Sequence, residues 1–159
     1  MAATNRNDYF YDLIEARLEP LLQYENGLKI ADEYSENATP SLIIYLGTED
    51  NTPNADASLD AYMLNRSCEF TINLFLRRSG DESTADARTE AHEWIDRLEN
   101  ALLATTPNSY THTVSTTPIY TLNCKAIVIT ETDKFYATKT NPITGIQVRG
   151  QIQYSQTYY

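Results

Sequence analysis

Cys68-Glu69-Phe70-Thr71-Ile72-Asn73-Leu74-Phe75-Leu76 decides the fold. Successive side chains of an extended chain point to opposite sides, so Cys68, Phe70, Ile72, Leu74 and Leu76 form a dry face. Glu69, Thr71, Asn73 and Arg77 form a wet one. The alternation runs from Ser67 to Arg78 and predicts a strand of an antiparallel sheet covered on one side.

C-terminal to this strand, Gly80-Asp81 predicts a turn into a helix from about Ser83 to Leu103, with Ser83 and Asp86 spaced as a capping-box-like start. Ala87, Ala91, Trp94, Ile95, Leu98 and Leu102 recur at helical spacing and form its buried stripe. A threonine-rich connection from Thr105 to Thr117 then leads into strand patterns over Ile119–Thr132 and Gly145–Tyr158. In the last of these Ile146, Val148, Ile152 and Tyr154 share one face; Gln147, Arg149, Gln151 and Gln153 share the other.

N-terminal to it, Ser41-Leu42-Ile43-Ile44-Tyr45-Leu46-Gly47 follows Pro40 and reads as a short buried strand. Residues from Asp8 to about Gln23 carry Phe10, Leu13, Ile14, Leu18, Leu21 and Leu22 as an amphipathic helical stripe, with Asp8 placed to cap it. Pro20 either ends that helix near Leu18 or opens a new helical segment in its first turn. The order helix, strands, helix, strands predicts an α+β fold. Two main helices pack on one face of a mostly antiparallel sheet of four or five strands. One domain is expected over 1–159, with an extended polar loop at about 48–62.

Charge narrows the function. Twenty-two acidic residues face twelve basic ones, a net of −10 in 159 residues, and Arg77-Arg78 is the one basic pair of note. Phosphate-tracking nucleic-acid binding is disfavoured by that balance. No run of about 18 apolar residues offers a membrane span, and the first residues lack a secretory pattern, so a cytosolic chain with no membrane partner is expected. Cys68 and Cys124, each within an apolar alternation, read as small core residues.

No constellation for chemistry emerges, and the chain is expected not to be an enzyme. His92-Glu93-Trp94-Ile95-Asp96 has Asp96 where a zinc-protease helix needs histidine, and the other histidine, His112, is expected in a loop. Asp50, Asn51, Asn54, Asp56 and Asp60 crowd oxygen atoms into one loop, but the glycine and closing glutamate of a calcium loop are missing. No glycine-rich phosphate cradle is present, and no cofactor or metal is expected. Glu131 and Asp133 read as surface charges. Twelve tyrosines remain, with Tyr9, Tyr11, Tyr62, Tyr110, Tyr136, Tyr158 and Tyr159 outside any obvious core pattern. Exposed tyrosine favours protein interfaces.

The order of elements, with Pro40-Ser41-Leu42-Ile43-Ile44-Tyr45-Leu46-Gly47 and Cys68–Leu76 as its two strand textures, resembles the tail terminator proteins of long-tailed bacteriophages. That resemblance implies a structural protein of the virion, a homohexameric ring at the neck end of the viral tail, assembled in the host cytoplasm. Such a ring caps the tail tube, binds the tube protein and the head-side connector or completion protein, and lets DNA pass its lumen without specific binding. Another head–tail joining or completion protein is the nearest alternative, and a metal-binding cytosolic protein a more distant one. In a ring, an unpaired polar loop and exposed aromatics are natural subunit contacts, which selects Asp50, Asn54, Asp56, Asp60, Tyr62, Tyr158 and Tyr159.

Overall fold

The alternating run around Ile72 is an interior strand of the sheet in a computed structural model that describes residues 6–33, 40–52, 62–103, 110–114 and 120–158. In chain order the elements are α1 (Arg6–Leu18), a 3-10 helix (Glu19–Tyr24), β1 (Lys29–Ala31), β2 (Ser41–Thr52), β3 (Tyr62–Arg77), α2 (Thr84–Leu103), β4 (Tyr110–Val114), β5 (Tyr120–Phe135) and β6 (Ile143–Tyr158). The sheet order is β1-β2-β3-β6-β5-β4. Five strands form an antiparallel array, and the three-residue β1 adds to β2 in parallel. The fold is α+β, as its periodicities predict.

One apolar cluster joins both helices to one face of the sheet. Phe10, Ile14 and Leu18 of α1 and Trp94, Leu98 and Leu102 of α2 lie with Leu42, Ile44, Phe70, Ile72, Leu74, Leu122, Ile146, Val148 and Ile152. Register explains the alignment. Ile44 pairs with Ile72 and Ile72 with Val148, so apolar side chains run across three strands on the same side. Gly150 lies in the row of Phe70, and a Cβ there would meet the Phe70 ring at 2.6 Å and the Val128 carbonyl oxygen at 2.3 Å. The glycine exists because the ring fills its place.

Helix boundaries follow local chemistry. α1 stops at Leu18 and the chain continues as a 3-10 helix with Pro20 in its first turn, where a missing N–H costs nothing. The helix begins at Arg6, so Asp8 sits in the first turn instead of capping it. The Asp86 backbone N–H donates to Ser83 Oγ at 3.1 Å, the N-cap bond expected for α2. Gly80, at φ 78°, makes the turn before that helix, and a Cβ there would strike the Thr138 backbone at 2.4 Å.

Two expected loops are corrected. Thr48–Thr52, assigned to the polar loop, extend β2, because β3 is long enough to pair with them from Cys68 to Asn65 after a bulge between Leu46 and Glu49. Tyr62, at the other end of that segment, begins β3. Residues 53–61, with Asn54, Asp56 and Asp60, lie outside the described residues. Within the Thr105–Thr117 connection, Tyr110–Val114 form β4 against Tyr120–Cys124, so His112 belongs to a strand and not to a loop. Cys68 and Cys124 are buried and unlinked; β6 separates their strands.

Candidate assembly surfaces

Arginines hold the helix layer to the sheet. Arg6 at the start of α1 donates from Nε and Nη2 to the two carboxylate oxygens of Glu49, at 2.8 and 2.6 Å, a bidentate pair. Glu49 lies just past the β2 bulge on the helix side, where Tyr154 Oη donates to it at 3.3 Å and Arg66 approaches within 3.7 Å. Fully buried Gln156 accepts from both Arg6 and Arg66. The Arg6 hydrogen bonds hold the Glu49 carboxyl below its ordinary range against the opposing effect of burial. Arg17 donates to the Leu102 carbonyl oxygen at 2.6 Å, closing the C-terminal end of α2, where a cation also suits the helix dipole. Arg78 bridges Glu25 and Glu90, each at 2.7 Å. Much of the chain's small stock of cations is therefore engaged in the fold.

What remains outside is segregated. Asp81–Leu103, which holds α2, carries seven acidic residues against Arg88 and Arg97, a net of −5 and half of the chain's charge. Most of those carboxylates point to solvent from the helix layer. The other face of the sheet is polar with charges of both signs. Its central strand β6 has Arg149 as its one charged residue, flanked by Gln147, Gln151 and Gln153. Lys125 donates to Asn65 at 3.2 Å, and Arg149 to Glu131 at 3.5 Å. A shallow cavity of about 330 Å³ lies among Asn65, Ser67, Lys125, Gln151 and Gln153.

Large apolar side chains interrupt this polar face. Tyr45, 44% exposed, and Phe135, 47% exposed, stand on it with Val128. Phe135 lies over Gly145, whose added Cβ would meet its ring at 2.2 Å, and Phe75 occupies the same row on β3.

The tyrosines divide differently from the expectation. Tyr9 is 3% exposed and packs on Phe10 at 5.4 Å between ring centroids, so it is a core residue. Tyr11 and Tyr136 are half-buried. Tyr24 is exposed, set edge-on to Trp94 with the Arg97 guanidinium 4.5 Å above its ring. Sequence reasoning missed Tyr45, which alternates with core Ile44 and signals itself by that parity, and Phe135, whose neighbours Lys134 and Tyr136 are not core residues and give no such signal.

Of the residues selected as subunit contacts, Asp50 is exposed on β2. Register brings Tyr62 and Tyr158 together: they are paired across β3 and β6, and Tyr120 of β5 extends the same row. Asp50 pairs with Ser67, five rows from Tyr62, and so is not part of this group. Tyr159 lies outside the described residues, as do Asn54, Asp56 and Asp60.

Among the described residues the sheet is covered only in part at each side. β1 covers β2 only at Ser41–Ile43, and β4 covers β5 only at Tyr120–Cys124. Ile44–Thr52 and Lys125–Phe135 have no further strand partner among the described residues. No helix among them is long and apolar enough to cross a membrane, and no group of three or more His, Cys, Asp or Glu is placed to hold a metal ion. Comparison with protein-family models and with characterised proteins finds no match to this sequence.

Proposed function

We propose that the protein is a structural component of a long-tailed bacteriophage, a tail terminator that forms a homohexameric ring on the end of the tail tube. It stops tube polymerisation and presents a surface to the head-side connector. It acts at the neck end of the virion tail after assembly in the host cytoplasm, without catalysis.

The observation that carries this reading is the separation of charge between the two faces. An acidic helix layer repels DNA passing through a lumen and keeps it from sticking. The opposite face, rich in glutamine and asparagine with Tyr45, Val128 and Phe135 exposed, has the composition of a surface that meets protein. Six copies at −10 concentrate about −60 of charge in one ring, enough to make its placement matter.

Electron microscopy of particles assembled without the protein tests the proposal. Tails of uncontrolled length support a terminator. Tails of normal length beside heads that leak DNA overturn it in favour of a head-completion protein.

A further inference from the structure

Asparagine is followed by glycine at a single place in the sequence, Asn26-Gly27, and the fold sets that pair at an exposed corner between the 3-10 helix and β1. The Leu28 N–H donates to the Glu25 carbonyl oxygen at 3.2 Å, closing a β-turn over the pair. Gly27, at the third position of the turn, has φ 77°. Among the described residues only glycines have a positive φ, so Asn26 does not, and the turn is type II. Nothing lies within 4 Å of the point where a Cβ of Gly27 would stand. Both residues are exposed, and an exposed turn of this kind opens locally at little cost.

The chain is anchored on either side of the corner. Tyr24 stands edge-on to Trp94 under the Arg97 guanidinium, and Arg78 donates to both carboxylate oxygens of Glu25, at 2.7 and 3.3 Å. Leu28 is buried in the core cluster, and Lys29–Ala31 pair with Ser41–Ile43 as β1. The path from Glu25 to Leu28 therefore has fixed ends and no slack for a longer main chain.

We propose that Asn26 is a site of spontaneous deamidation, with water as co-reactant, and that its isoaspartyl product loosens β1 from the sheet. Asparagine is a thermally labile side chain, and a following glycine leaves the attacking nitrogen unshielded. The Gly27 backbone nitrogen, deprotonated by hydroxide, attacks Cγ of Asn26. A bond forms between that nitrogen and Cγ, the bond from Cγ to Nδ2 breaks, and ammonia leaves with a proton from water, which restores the hydroxide. Water then opens the cyclic imide. Breaking the bond from the Gly27 nitrogen to Cγ gives aspartate on the original main chain. Breaking its bond to the backbone carbonyl carbon of residue 26 gives isoaspartate, whose main chain runs through Cβ and Cγ and is one atom longer. Nothing is oxidised or reduced. Both products add a negative charge beside Glu25, but only isoaspartate stretches the turn. It breaks the bond between Leu28 and Glu25 and, through Leu28, strains the three residue pairs that hold β1 to β2.

Peptide mass spectrometry of the full chain, aged at mildly alkaline and at mildly acidic pH, tests the site. Exchange of NH2 for OH is expected at Asn26 ahead of every other asparagine, faster at alkaline pH, with isoaspartate among the products. Asn26→Gln and Asn26→Ser, both at an exposed position, should show no such change there. Conversion of another asparagine first overturns the site. So does an Asn26 that stays intact in the folded chain while the urea-unfolded chain converts. Hydrogen exchange at the Lys29–Ala31 amides tests the consequence, by comparing fresh protein, aged protein and Asn26→Asp, which carries the new charge on an unaltered main chain. Faster exchange is expected in the isoaspartyl fraction of the aged protein alone. Equal exchange in all three overturns the loosening of β1, and equally fast exchange in Asn26→Asp assigns it to charge and overturns the role of the longer main chain.

Discussion

Replacing Glu49 with glutamine keeps the shape of the side chain and removes the negative charge that Arg6 and Arg66 share. In the native protein Glu49 accepts two short hydrogen bonds from Arg6 and one from Tyr154. Bonds to a charged partner are worth about 1.5–3 kcal/mol each when protected from water. The Glu49 and Arg6 side chains are each 25% exposed, so solvent screening discounts that figure. A net loss of about 2 kcal/mol at pH 7 follows. For a domain of this size that is roughly 4–8 °C in melting temperature.

The pH dependence carries the sharper check. The Glu49 carboxyl is held below its ordinary range in the folded state, so its contribution is complete above the unfolded value of about 4.3 and is lost as pH falls through the folded one. Urea unfolding of wild type and Glu49→Gln should differ by a constant amount from pH 8 to about pH 5, and the two curves should converge on further acidification. A gap that stays the same down to pH 3 would refute the electrostatic account, leaving altered packing at the bulge as the cause. No gap at pH 7 would refute the claim that this residue anchors α1.

The two strand glycines should respond differently to alanine. Gly150→Ala forces a methyl against the Val128 backbone oxygen and the buried Phe70 ring, and should cost about 1–3 kcal/mol or more in a denaturant titration. Gly145→Ala meets first the ring of the exposed Phe135 side chain, which can swing away, so a loss of less than about 1 kcal/mol is expected, with a change in exposed aromatic surface. The cysteines should be inert: burial raises both thiols, Cys68 to about 11, so a disulfide reagent at pH 8 should label neither until denaturant is added.

The sheet was legible where one face is dry. From Cys68 to Leu76 and from Ile146 to Tyr154 parity alone assigns both strand and side, and the Ser83 cap marks the start of α2 within a residue. It was illegible where pairing overrides composition. Thr48-Glu49-Asp50-Asn51-Thr52 has the residues of a loop, yet it continues β2 because β3 offers the backbone partner and Arg6 neutralises Glu49. β4 is hidden in a threonine-rich stretch for the same reason. The tyrosines misled because single-residue spacing cannot tell a ring buried in the core cluster, as Tyr9 is, from one on an exposed face, as Tyr45 is. The partly covered edges have no signature in local sequence, since they depend on which strands lie outermost.

The position of β6 between β3 and β5 has a consequence for how the chain folds. β6 follows every other strand in the sequence, yet it contributes both of the central pairings of the sheet. A turn within 136–142 lets β5 and β6 meet locally and quickly. β3, already joined to β2, must then find β6 across more than sixty intervening residues, and such distant closure is slow. A chain that has not yet made this pairing would leave the inner edges of β3 and β6 uncovered. The last strand is therefore the one that locks the halves together, and folding should show a late, concerted step when β6 slots into place.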